Sequence, residues 1–201
     1  FVSNLIGMEA LSAINLTAPA IALITAISGM LATGGSAVVM KKMGEHREQE
    51  ARQDFTLLIL TNAVVGAVMM LLGYTLMDTL LGTMGLSPAV FGYCHTYLSN
   101  YLLFTIPILL MYNFSLYLIA ADKSTLSLIC TVAGGVTNII LDYVLIALFD
   151  MGIQGAAIAT GLGYSITAVV GFLVFQKQDS LLHFEKPVFR GGVLFHASTN
   201  G

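Results

Sequence analysis

The stretch STLSLICTVAGGVTNIILDYVLIALF, Ser124–Phe149, contains a single charged residue, Asp142. An apolar run of this length fits a helix crossing the hydrocarbon core of a bilayer, which takes about 20 residues. A carboxyl group at membrane depth costs roughly 2.5–3.5 kcal/mol on insertion scales, so Asp142 is expected to face protein or water and to have a task. Asn138 lies one helical turn before it and Gly134 one turn before that. The three therefore share one stripe of the helix, with glycine allowing a neighbour to approach closely on the same side.

The rest of the chain has the same character. Its 201 residues are 57% hydrophobic and 9% charged, with a mean hydropathy of +0.86, whereas soluble domains carry roughly 25% charged residues. This composition predicts an all-α integral membrane protein. Further uncharged runs cover Ala10–Met40, Phe55–Met77, Thr79–Ala121 and Met151–Gln176. The third is too long for one span, but Gly82, Gly85 and Ser87-Pro88 break it and leave a helix from about Ala89 to Leu116, which Pro107 should kink. Phe1–Gly7 reads as the tail of a first helix rather than a signal peptide, because it has no basic n-region and no initiator Met. The expectation is a bundle of about six transmembrane helices, five complete and one partial, cut from a longer protein.

Loop charges test this count, since basic residues gather on the cytoplasmic side. Lys41, Lys42, Arg47 and Arg52 follow the second span, Lys123 the fourth, and Lys177, Lys186 and Arg190 the sixth. The intervening loops, expected over Met8–Asn15, Asp78–Pro88 and Asp150–Gln154, carry Glu9, Asp78 and Asp150 and no Lys or Arg. Topology thus explains the basic clusters, and the net charge of −3 gives no reason to expect nucleic acid as a partner. Cys94 and Cys130 have no metal-type spacing and are expected to be free thiols. His46, His95, His183 and His196 form no ligand pair, and no nucleophile and base set is apparent, so an enzyme is not expected.

Two readings of the Asp142 stripe are open. In one it is a cation or proton site, with Asn138 supplying an amide oxygen and Asp142 a carboxylate that binds Na⁺ or takes up H⁺; occupancy and protonation then compete. In the other, a neutral Asp142 hydrogen-bonds Asn138 and a neighbouring helix as packing glue. The sixth span opens MGIQGAAIATGLGY, Met151–Tyr164, where Gly152, Ala156 and Thr160 recur every four residues as a packing face. Thr160 either completes the site or bonds its own backbone. Tyr112, Asn113, Ser115 and Tyr117 on the fourth span, together with Tyr164, line an aqueous path or satisfy one another. Ten Met and eleven Phe suit an adaptable pocket for apolar ligands, and are also common in membrane helices.

The run FVSNLIGMEALSAINLTAP (Phe1–Pro19) resembles the junction of the first and second helices of the multidrug and toxic compound extrusion (MATE) transporters. Gly34-Gly35-Ser36 with KKMGEHREQEA (Lys41–Ala51) is similar to their next cytoplasmic loop, and GIQGAAIAT (Gly152–Thr160) to the opening of their sixth helix. The resemblance implies one lobe of a twelve-helix antiporter in the bacterial cytoplasmic (inner) membrane. Such a protein exports drugs or toxic organic cations in exchange for H⁺ or Na⁺, with no cofactor beyond the coupling ion. It further implies that 1–176 is the amino-terminal lobe and 177–201 the cytoplasmic inter-lobe linker and start of helix seven, with the carboxy-terminal lobe as partner within the bilayer. Family members with an ion site in this lobe use an Asn and an Asp four residues apart on helix five and a Thr on helix six, matching Asn138, Asp142 and Thr160. They also use a first-helix Asp that would lie before Phe1. The rival within the same superfamily is a lipid-linked sugar flippase, which wants a basic cavity, and the spans here hold no Lys or Arg. A structural bundle that does not transport is the alternative for the isolated fragment.

Overall fold

The computed structural model describes residues 7–178 and 180–199. Seven α-helices follow in order: α1 Met8–Gly44, α2 Glu48–Thr83, α3 Pro88–Leu102, α4 Thr105–Ala120, α5 Ser124–Asp142, α6 Gly152–Phe175 and α7 Gly191–Thr199. A π-helical segment, Tyr143–Leu148, continues α5. By length and composition α1, α2, α6 and α5 with its π segment can each cross a membrane, and the bent pair α3–α4 adds a fifth where the two halves act as one span. The exposed faces suit that solvent: Leu60, Val64, Leu71, Ile129, Val136 and Val169 all point outward. The expected first-helix tail lies outside the described residues apart from Gly7, which is non-helical at φ 100° and precedes α1.

The outer loops are shorter than the charge pattern predicts. Met8–Asn15 is helical, because no Gly or Pro interrupts it and Glu9 in the first turn suits the positive end of the helix dipole. Asp78 likewise lies inside α2, leaving a turn from Met84 to Ser87. There Gly85 takes φ +62°, the Ser87 hydroxyl accepts from the Val90 N–H at 3.4 Å, and Pro88 opens α3. Glu48–Asp54, read as loop, is the start of α2. Charge marks where a helix leaves the hydrocarbon; glycine, proline and caps mark where it ends.

Between α3 and α4 the chain bends by 53°. The break falls at Leu103–Phe104, before Pro107, which sits in the first turn of α4. Proline has no N–H to give to the carbonyl four residues back, so the continuous helix fails one turn ahead of the ring.

At the cytoplasmic end, the basic end of the bundle, an aromatic core forms around Phe55, Phe114, Tyr117 and Phe175. The segment 180–190 crosses this end. Phe184 stacks on Phe55 with centroids 5.3 Å apart, the Glu185 N–H donates to Thr56 Oγ1 at 3.0 Å, and the Leu181 carbonyl accepts from Arg52 Nε at 3.2 Å. Asp54 is 0% exposed. Lys42 Nζ pairs with its Oδ2, and Arg190 Nη1 lies 3.3 Å from its Oδ1 and 3.0 Å from Glu50 Oε2.

Removing a partner from a buried ion pair strands the other charge, so Asp54→Ala should cost roughly 3 kcal/mol of stability. Arg47→Ala breaks exposed pairs with Glu45 and Glu50 and should cost far less, because solvent already screens them. Thermal unfolding of the two variants in detergent or nanodiscs compares them directly.

Candidate functional site

Two glycines set the geometry. A Cβ on Gly134 of α5 would sit 2.7 Å from the Gly163 carbonyl oxygen of α6, and a Cβ on Gly163 would sit 2.8 Å from the Gly134 carbonyl oxygen. The helices therefore touch backbone to backbone, as small residues at a crossing permit. Gly134 belongs to the stripe read from the sequence; on α6 the contact falls at Gly163, one turn beyond the Gly152, Ala156, Thr160 face.

Beside the crossing lies a cavity of about 300 Å³ lined by Met111, Thr131, Gly134, Gly135, Asn138, Thr160, Gly163, Tyr164 and Thr167. Every lining residue is uncharged. Asn138 Nδ2 donates to Thr160 Oγ1 at 3.3 Å, and Thr160 Oγ1 donates to the Ala156 carbonyl at 2.9 Å. The threonine thus bonds its own backbone and joins α6 to α5 at the same time.

Asp142 is the last residue of α5, half-buried, one turn outward of Asn138. Its Oδ1 is buried and has no hydrogen-bond partner among the described residues. Directly after it the backbone widens into the π segment, closed by the Phe149 N–H donating to the Val144 carbonyl at 3.0 Å. Such wide turns recur at functional positions in helices. From α3, buried Tyr97 lies against Thr160 and within electrostatic range of Asp142. Tyr97 was not among the candidates read from the sequence. Its signal is present there as Tyr93, Tyr97 and Tyr101, which recur every fourth residue.

The expected lining residues separate. Tyr164 lines the cavity, and Tyr112 packs with it against the cluster of Tyr101, Ile108 and Leu109. Ser115 uses its carbonyl to accept from Ser127 Oγ at 3.1 Å. Asn113 and Tyr117 are fully buried elsewhere, Asn113 against Asn62 of α2 and Tyr117 against Gly35 and Phe55. Met111, Thr131 and Thr167 take their place around the cavity. Asp142, Asn138 and Thr160 offer a carboxylate, an amide and a hydroxyl, oxygen ligands of the kind a hard cation takes. Among the described residues no group of three or more His, Cys, Asp or Glu could hold a metal ion.

Gly134→Ala and Gly163→Ala should each lower stability by about 1–3 kcal/mol, because the added methyl meets a backbone oxygen that cannot move aside. Gly135→Ala, whose Cβ would meet open space, should be neutral or stabilising by up to about 1 kcal/mol. Unfolding midpoints of the three variants test the crossing.

The family described as MatE matches residues 1–144. Among curated proteins, the chain is 23% identical over 184 residues to the multidrug export protein MepA of Staphylococcus haemolyticus, covering 92% of this chain and 41% of that protein. It is 21% identical over 182 residues to MepA of Staphylococcus saprophyticus, covering 90% and 40%. The chain spans about 40% of the length of these relatives. Among solved structures, the outward-facing conformation of a multidrug resistance MATE family transporter of the MOP superfamily superposes with a TM-score of 0.90. That pair is 22% identical, over 98% of this chain and 44% of that one. The inward-facing conformation of such a transporter gives 0.88 at 21% identity, over 94% and 44%.

Proposed function

This chain belongs to the MatE family, and on that premise we propose that it forms one lobe of a secondary transporter that exports drugs or toxic organic cations in exchange for H⁺ or Na⁺. Residues 1–176 are this lobe, with 177–201 leading toward a second. The two lobes rock about a shared path and expose it to each side of the membrane in turn.

The observation that carries this reading is the Oδ1 of Asp142, unpartnered among the described residues, beside the Asn138–Thr160 bridge. A buried carboxylate oxygen without a protein donor is costly unless a proton or cation meets it. Loading neutralises Asp142 and, through Asn138 and Thr160, alters how α5 and α6 meet at their glycine crossing. That crossing borders the cavity, so the hold on bound cargo changes with the ion. The linkage is reciprocal: cargo and ion shift each other's affinity by the same factor. The uncharged cavity wall suits an apolar cation drawn by Asp142 and offers no cationic group to a pyrophosphate.

The test uses the full-length protein in proteoliposomes, with tetraphenylphosphonium or ethidium as cargo and an imposed H⁺ or Na⁺ gradient. Asp142→Asn should reduce gradient-driven transport at least about tenfold, a barrier change near 1.4 kcal/mol, while Asp78→Asn at the outer surface leaves it unchanged. Undiminished transport by Asp142→Asn would remove this carboxylate from the coupling.

A further inference from the structure

The outer end of the bundle has a pocket separate from the α5–α6 cavity. It lies between the start of α3 and the turn that joins the π segment to α6, has a volume of about 480 Å³, and is lined by Pro88, Tyr93, Thr96, Asp150, Met151 and Ile153 among others. The turn gives the pocket one wall. There the Met151 N–H donates to the Leu145 carbonyl at 2.9 Å, while Asp150 and Gly152 take φ of 52° and 54°, in the left-handed region that aspartate and glycine tolerate. Gln154 Nε2 of α6 donates to Asn100 Oδ1 of α3 at 3.3 Å, which ties the two walls together.

Charge distinguishes this pocket from its neighbours. The α5–α6 cavity has an uncharged wall, and so does the apolar groove of about 530 Å³ between α1 and α2, whereas here Asp150 supplies a carboxylate. The ion pairs among the described residues leave Asp150 out, and the eight Lys and Arg belong to the opposite, basic end of the bundle. Half-buried Tyr93 adds an aromatic ring, and Pro88, Met151 and Ile153 an apolar lining. A carboxylate beside an aromatic face in an apolar hollow is the chemistry that recognises a large, delocalised cation. The size agrees, since small-molecule sites span roughly 300–1,000 Å³. A metal ion wants several oxygen ligands at once, and one carboxylate does not supply them.

We propose that this pocket is a peripheral site for lipophilic organic cations, held by the Asp150 carboxylate and the Tyr93 ring. It takes the cargo class of the transporter proposed above and rests on that reading for the identity of its ligand. Its place in the fold suits the role. Tyr97, one turn along α3 from Tyr93, lies against Thr160, so the pocket is the outward neighbour of the Asn138–Thr160 bridge, on the side where exported cargo leaves.

The test places Ala89→Cys, an exposed position on the pocket wall, in the full-length protein in nanodiscs and follows its labelling by a maleimide; Cys94 and Cys130 are buried, and any other reactive cysteine is replaced. Tetraphenylphosphonium should slow labelling, whereas neutral triphenylphosphine oxide at the same concentration should not. Asp150→Asn should raise the tetraphenylphosphonium concentration for half protection at least about fivefold. Tyr93→Leu should raise it about two- to fivefold, and Tyr93→Phe, which keeps the ring, less than about twofold. Asp78→Asn removes an outer charge that is not on the pocket wall and should leave it unchanged. Labelling reads occupancy of this pocket whether or not Asp142 couples an ion, so the two readings fail separately. Absence of protection overturns the proposal, as does equal protection by the neutral compound, an unchanged value in Asp150→Asn, or an Asp78→Asn effect as large as that of Asp150→Asn.

Discussion

Hydrocarbon supplies no hydrogen bonds, and the arrangement of this bundle depends on how each polar group inside it is met. Most hydroxyls are met locally. Thr33, Thr61, Thr131 and Ser165 each bond a carbonyl four residues back, which costs no partner helix. The groups that cannot be met this way draw helices together. Asn138 reaches across to Thr160, Asn62 to Asn113, and Gln154 Nε2 to Asn100 Oδ1 at 3.3 Å.

Two aspartates show how surroundings divide one residue type into two roles. Asp54 has both oxygens committed to cations, Lys42 on one side and Arg190 on the other, and so ties α1, α2 and the segment before α7 into one cytoplasmic end. Among the described residues Asp142 has no cation beside it and keeps a buried oxygen unpartnered. A neutralised acid is a fastening, whereas an acid with an open position can exchange what it binds. Basic residues gather at the cytoplasmic end, and Asp54 lies among them.

The interruptions of regular helix lie close to Asp142. The α5 ladder widens immediately after Asp142, and the α3–α4 break follows the turn of α3 that carries Tyr97 and Tyr101. Tyr97 brings α3 to Thr160, so three helices converge on the polar pair, and two of them are interrupted within a few residues. The cytoplasmic half, by contrast, is packed with interlocking aromatic rings and tied by ion pairs.

Spans and the Gly134, Asn138, Asp142 stripe were legible in the sequence, because hydrocarbon imposes length and apolarity on every crossing segment and helical spacing puts every fourth residue on one face. For Thr160 the sequence left two roles open, a partner of the α5 stripe or a bond to its own backbone, and the hydroxyl does both, meeting Asn138 and the Ala156 carbonyl. Helix ends were less so: Asp78 and Glu48 looked like loop because they are charged, yet a helix continues into water until glycine, proline or a cap stops it. Asp54 stands one residue outside an uncharged run, and nothing in its neighbourhood in the chain indicates that Arg190 arrives to bury it. Asn113 and Tyr117 read as cavity lining but turn away from the cavity, since which face of α4 meets α2 depends on the 53° break above it. Periodicity along one chain determines what shares a helix face; which face meets which partner was decided only when backbones met at Gly134 and Gly163, where the absence of side chains fixed the approach.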